Sequence, residues 1–159
     1  MTEGEARALA AVAAAGLPYA VTRHGPVRSL AEAAAARGVS PADIIKTLVI
    51  RRADDDFVFV LVPGDREISW PKLRAHLGVN RLSMPDAETA RIATGYERGT
   101  ITPFGSTRAW PVVADATVTG RAISMGAGAH GVAVTVDADA MVAALGARRA
   151  DVTDPIVGR

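Results

Sequence analysis

The stretch Ile44-Ile45-Lys46-Thr47-Leu48-Val49-Ile50 decides the fold. Six of its seven residues are apolar or β-branched, and the exception is one lysine. A run of this kind, closed by Arg51-Arg52, reads as a buried strand. Lys46 stands near the start of that strand, at the rim of a sheet. An ammonium there either snorkels to water or reaches into a cleft.

The segments on either side extend the reading. Ala53-Asp54-Asp55-Asp56 is a polar turn, and Phe57–Val62 is a second apolar run, so the two strands form a hairpin ended by Pro63-Gly64-Asp65. Upstream, Thr2-Glu3-Gly4-Glu5 and Ser29-Leu30-Ala31-Glu32 each have the spacing of a capping box, a hydroxyl followed three residues later by a carboxylate. They open helices stopped by Gly16 and Gly38, with a strand over Tyr19–Arg23 between them. Ser40-Pro41-Ala42-Asp43 holds a single turn before the lysine strand. Downstream, helices are expected from Ser69-Trp70-Pro71 to Gly78, over Pro85–Thr94 with Asp86 and Glu88 in the first turn, and from Asp137 to Leu145. Arg81–Met84, Pro111–Ala114, Ala122–Met125 and Val132–Val136 are short strand candidates. The tail, Ala147–Arg159, lacks periodicity and is expected to fray.

Strands and helices do not alternate regularly, and several connections are too short for crossover helices. The expected fold class is therefore α+β with a mixed or mainly antiparallel sheet. A length of 159 residues with 49% hydrophobic and 22% charged residues suits one soluble globular domain over 1–159. Aromatic residues make up 4% and cysteine is absent, which rules out disulfides, zinc-thiolate sites and cysteine nucleophiles. A net charge of +1 argues against a broad nucleic-acid-coating surface but leaves room for a grip on the end of an RNA. The acidic start has no basic n-region and no apolar run has the length of a membrane span, so a cytoplasmic location is expected. No Walker sequence and no strand-linked Gly-x-Gly-x-x-Gly occurs.

Two further stretches carry chemistry. Gly99-Thr100-Ile101-Thr102-Pro103-Phe104-Gly105 has glycines at both ends and a proline that stiffens its middle. Exposed N–H groups in such a loop can hold a carbonyl oxygen or a ribose hydroxyl, and a plain turn is the alternative. Gly126-Ala127-Gly128-Ala129-His130-Gly131 is built of small residues that let a backbone or a ligand approach. Of the three histidines, only His130 falls in such a motif; a solvated surface imidazole is its alternative role.

Taken in order, these pieces resemble the YbaK/prolyl-tRNA-synthetase-associated domain family of aminoacyl-tRNA editing domains. Lys46-Thr47-Leu48-Val49 is similar to the family's lysine strand. Pro63-Gly64-Asp65 is similar to its Gly-Asp turn, and Thr94-Gly95 followed by Gly99-x-x-x-Pro103-Phe104-Gly105 to its glycine-proline loop. The late glycine-rich turn before Val132–Val136 fits as well, so the resemblance runs from about Tyr19 to Leu145.

The resemblance implies a barrel-like, largely antiparallel sheet with flanking helices. It also implies hydrolysis of the ester joining a wrong amino acid to the 3′ end of a tRNA, with no cofactor, metal or covalent intermediate. It gives Lys46 the essential role, as a compact point charge that positions a phosphate or the ester carbonyl. Gly99, Thr100, Ile101, Thr102 and Pro103 would orient the aminoacyl group and the attacking water. Tyr19 and Thr47 become pocket-wall residues, with Thr47 turned away from Lys46 and acting through its backbone. Gly126, Gly128 and His130 become substrate contacts. No carboxylate pair or Ser-His-Asp order is evident, so the substrate's own ribose hydroxyl or side chain is the expected base. The low aromatic content suits a small amino acid. The near-neutral charge suits an enzyme that contacts chiefly the acceptor end and depends on a synthetase or an elongation factor to deliver the tRNA. The alternative is a non-catalytic module of the same fold that grips a tRNA end or a synthetase.

Overall fold

The computed structural model describes residues 1–157. The lysine stretch lies inside strand β2 (Ile44–Ala53), which turns through Asp54 and Asp55 into β3 (Asp56–Pro63). The hairpin is antiparallel, with Lys46 opposite Val62. Asp55 takes a positive φ of 52° at the tip, a conformation Asp tolerates better than most residues. β3 is apolar at successive positions because both its faces are covered. Phe57, Phe59 and Leu61 enter one core, and Val58, Val60 and Val62 enter a second.

Strands β1 (Ala20–Arg23), β5 (Val112–Asp115), β6 (Ala122–Gly126), β7 (Val132–Asp137) and β8 (Arg148–Ala150) join this hairpin. They form a seven-stranded sheet of order β1-β7-β6-β2-β3-β5-β8. The long pairings β1/β7, β6/β7 and β2/β3 are antiparallel, while β2/β6, β3/β5 and β5/β8 are parallel over two or three residues. The expected α+β class with a mixed sheet is what the structure shows. The expected barrel does not close: β1 and β8, four and three residues long, are the two edges, and each has a single neighbour.

Helices α1 (Glu3–Ala14), α4 (Ala87–Thr94) and α5 (Ala138–Leu145) cover the first core with Ala8, Val12, Ala90, Ala93, Ala138, Met141 and Val142. Helix α3 (Trp70–Leu77) covers the second with Leu73, and α2 (Leu30–Arg37) precedes a 3-10 turn at Pro41–Asp43. The hydroxyls of Thr2, Ser29 and Ser69 cap α1, α2 and α3. The reciprocal half of each capping box is absent. The Glu5 carboxylate makes a two-pronged pair with Arg23 at 2.6 and 2.9 Å, fastening α1 to β1, and Glu32 accepts from the Arg28 N–H. Asp86 is the N-cap of α4, accepting from the Thr89 N–H, rather than part of its first turn.

Two expectations fail at short strands. Arg81–Met84 contributes one bridge, Arg51 to Ser83, and no strand. The tail does not fray from residue 147. β8 pairs with β5, and β9 (Thr153–Pro155) pairs with β4 (Arg66–Ile68), a strand not expected from the sequence. Val152 and Thr153 are fully buried, so packing against the second core fixes a segment that has no periodicity of its own.

Candidate functional site

The site follows from an interruption in the sheet. β6 pairs with β2 only at Ile44 and Ile45, and the next bridge on that edge is Arg51 to Ser83. In an antiparallel ladder the backbone groups of successive residues point alternately to one side and the other. The Ile44 carbonyl accepts from Gly64 on the β3 side, and the Arg51 N–H donates to Ser83 on the opposite side. The N–H and C=O groups of Thr47 and Val49 therefore face the open edge. A cavity of about 540 Å³ lies there, walled by residues 44–49, Arg37, Met84, Pro85, Ala87, Ala90, Arg98, Gly99, Ile101 and Gly126.

Thr47 shares a face of β2 with Ile45 and Val49 of the first core. Its Oγ1 is buried and makes no hydrogen bond within the protein. An unsatisfied buried hydroxyl costs about 1–3 kcal/mol. Thr47 belongs to the cavity wall, with its backbone groups on the open edge of β2. Lys46 leaves the opposite face of β2, beside Leu48 and Ile50, and its Nζ donates to the Arg66 carbonyl at 3.1 Å. Lys46 is among the residues that wall the cavity.

The glycine-proline loop is fastened from behind. Arg7 of α1 donates to the carbonyls of Gly95 and Gly105 at 2.8 and 2.7 Å, and the Tyr96 hydroxyl donates to Phe104 O at 2.6 Å. Gly105, at φ 73°, lies so close to Arg7 that a Cβ would meet its carbonyl at 2.6 Å. Gly99, at φ 90°, is on the cavity wall with Ile101. Thr100 and Thr102 are buried and internally bonded: the Thr100 hydroxyl donates to Glu97 O, and the Thr102 hydroxyl accepts from the Phe104 N–H.

The structure therefore brings Lys46, Thr47, Gly99, Ile101 and Gly126 to one cavity and leaves Tyr19, Thr100, Thr102, Pro103, Gly128 and His130 off its wall. Gly128 donates its N–H to Thr100 O and packs on Gly4, where a Cβ would meet the carbonyl at 2.3 Å. That close approach serves helix α1, not a ligand. The His130 ring stands above Gly99, 72% exposed, 3.6 Å from a Glu97 carboxylate oxygen. Tyr19 is 42% exposed just before β1.

Sequence reasoning missed Arg37 and Arg98. Arg37, in the last turn of α2, is half-buried, and burial holds its pKa below the usual guanidinium range. Its Nη1 is 3.5 Å from Ser124 Oγ and its Nε 3.5 Å from His24 Nε2, both at the long limit of a hydrogen bond. With Lys46 and Arg98 it makes three cationic residues on a wall that contains no Asp or Glu.

Comparison with known proteins gives this arrangement a context. Residues 24–144 match the model of the aminoacyl-tRNA editing domain. Proline–tRNA ligase of Bacillus licheniformis is 37% identical over 93 residues, 58% of this chain and 16% of that protein. The Heliobacterium modesticaldum ligase is 46% identical over 67 residues, 42% of this chain and 12% of that protein. The chain thus matches only a small part of these relatives' length. A crystal structure of a candidate trans-editing enzyme for prolyl-tRNA synthetase superposes with a TM-score of 0.87 over 97% of this chain and 99% of that one, at 23% identity. A hypothetical protein of known structure superposes at 0.84 over 93% of this chain and 99% of that one, at 27% identity. No helix among the described residues is long and apolar enough to cross a membrane. With the family model matched over most of its length, the chain belongs to the aminoacyl-tRNA editing domain family.

Proposed function

We propose that this protein is an aminoacyl-tRNA deacylase, hydrolysing the ester between a mischarged small amino acid and the terminal ribose of a tRNA. The observation that carries this reading is the cavity wall: Lys46, Arg37 and Arg98 with no carboxylate. Such a wall favours an anionic, carbonyl-rich ligand such as the 3′ end of an RNA. Arg37 and Arg98 hold the phosphates nearest the ester, and Lys46, anchored by Arg66 O, positions the carbonyl or the last phosphate. The Thr47 hydroxyl and the open backbone of β2 take up the polar groups of the aminoacyl moiety. Ile45, Val49, Ala90 and Ile101 surround its side chain, which suits alanine, serine, threonine or cysteine.

The wall contains no His, Cys, Asp or Glu that could serve as base or nucleophile. The attacking water is therefore activated by the substrate, through the 2′-hydroxyl or the amino acid side chain, while Gly99 and Ile101 orient it. A panel of mischarged tRNAs tests the reading. Release of one or a few small amino acids is expected. Tight tRNA binding without release of any would identify a non-catalytic module, which a synthetase or elongation factor could then use.

A further inference from the structure

A second cavity, of about 710 Å³, lies at the Arg51–Ser83 bridge. Its wall contains Arg51, Arg52, Arg74 and Arg81, drawn from the end of β2, helix α3 and the segment after it. The acidic groups around it are few. Asp54 is on the wall, Asp56 accepts from Arg52 at 2.9 Å, and Asp86 is engaged in capping α4. Arg51 donates through Nε to Ser83 Oγ at 3.1 Å. Arg74 and Arg81 make no ion pair with the described residues. A net charge of +1 for the whole chain thus conceals a local concentration of guanidinium groups.

The two cavities are walled by neighbouring stretches of the chain. Ser83 borders one and Met84 the other, and residues 44–49 of β2 lead directly to residues 51–54. At a strand rise of ~3.3 Å per residue, Lys46 and Arg51 are roughly 17 Å apart along the edge. That is the reach of a short single-stranded tail. Guanidinium groups suit phosphate oxygens through their fork of donors.

We infer that the Arg51, Arg52, Arg74 and Arg81 cavity docks the sugar-phosphate backbone of the RNA whose 3′ end enters the first cavity. The surface supplies affinity and register, and it takes no part in breaking the ester. This inference rests on the deacylase reading for the identity of the RNA, and its test separates the two.

The test uses the double variant Arg74→Gln/Arg81→Gln, since neither side chain makes an ion pair with the described residues, with the thermal transition checked for an intact fold. Two substrates are compared: a full-length mischarged tRNA, and a trinucleotide aminoacylated at its 3′ end. Binding of uncharged tRNA is measured in parallel across a salt series. The expected result is a loss of about tenfold in kcat/KM on the tRNA, with trinucleotide hydrolysis preserved. The slope of log affinity against log salt should fall by about 2, one for each lost contact. Equal losses on both substrates would overturn the inference by placing the arginines in the reaction or the fold. Unchanged tRNA hydrolysis and an unchanged salt slope would overturn it too, leaving the patch to an acidic protein surface. If the wild-type protein hydrolyses neither substrate, the deacylase reading fails, and the salt slope with uncharged tRNA still decides the docking surface.

Discussion

The Lys46 ammonium donates to the backbone carbonyl of Arg66 at 3.1 Å, and this bond ties the candidate site to the far end of the chain. Arg66 opens β4, and its Nε donates to Thr153 Oγ1 of β9 at 2.6 Å. The same Nε lies 3.8 Å from the buried Asp115 carboxylate. Asp115 in turn accepts from the Val152 N–H and from the N–H and hydroxyl of Thr117. The tail therefore helps to hold the carbonyl on which Lys46 is anchored.

That linkage predicts an acid-sensitive structure. Burial pushes the Asp115 carboxyl up, but hydrogen bonds from Thr117, Thr153 and Val152 outweigh it and hold the group below its ordinary value. A carboxylate whose folded pKa is lowered contributes stability above its unfolded pKa, near 3.9, and loses it as pH falls through the folded value. Asp115→Asn should lower Tm at neutral pH, and its deficit against wild type should shrink as pH is taken below about 4. A deficit that does not change with pH would show that shape, not charge, matters there.

Thr47→Val separates binding from stability. The substitution keeps the β-branched shape and removes a buried hydroxyl that has no protein partner. Thermal stability should hold or rise, because an unsatisfied polar group is removed. Deacylation should fall by about two- to tenfold in kcat/KM, the size of one hydrogen bond. A drop in Tm with unchanged kinetics would place the hydroxyl in the fold alone.

Gly99→Ala puts a side chain at φ 90°, on the cavity wall and 3.5 Å from the His130 ring. Left-handed backbone costs an alanine roughly 1–2 kcal/mol. The expected outcome is a loss of turnover larger than this stability loss explains at the assay temperature. A folded variant with wild-type kinetics would make the loop a plain turn.

His130→Ala should change the rate by much less than the ~10²–10⁴ that removal of a general base costs. The ring is 72% exposed and off the cavity wall. A mischarged tRNA lacking the terminal 2′-hydroxyl should bind and be hydrolysed very slowly, if that hydroxyl activates the water. Full activity on the deoxy substrate together with a large His130→Ala loss would show that the protein supplies the base.

What the sequence made legible was local. The lysine hairpin shows in its apolar runs, and the glycines that follow four of the expected helices, Gly38, Gly78, Gly95 and Gly146, are their left-handed C-caps. β4, β8 and β9, three residues each, owe their existence to partners from 35 to more than 80 residues away, which no local pattern records. At the site, Lys46, Thr47, Gly99, Ile101 and Gly126 could be picked from their motifs. Thr100, Thr102 and Gly128 share those motifs but turn inward to hold the loop and helix α1. Arg37 and Arg98 escaped notice because a cation near a helix end or in a loop usually serves the dipole or the solvent. Only the fold shows them facing a cavity.

Lys46→Ala gives the most direct test of the central claim. The change removes the hydrogen bond to Arg66, among the contacts of this side chain, and should leave a folded protein. The rate of amino acid release from a mischarged tRNA, measured beside a thermal melt, decides the matter. The account predicts a cooperative melt close to wild type and no detectable deacylation. Release at the wild-type rate from a folded Lys46→Ala protein would contradict it.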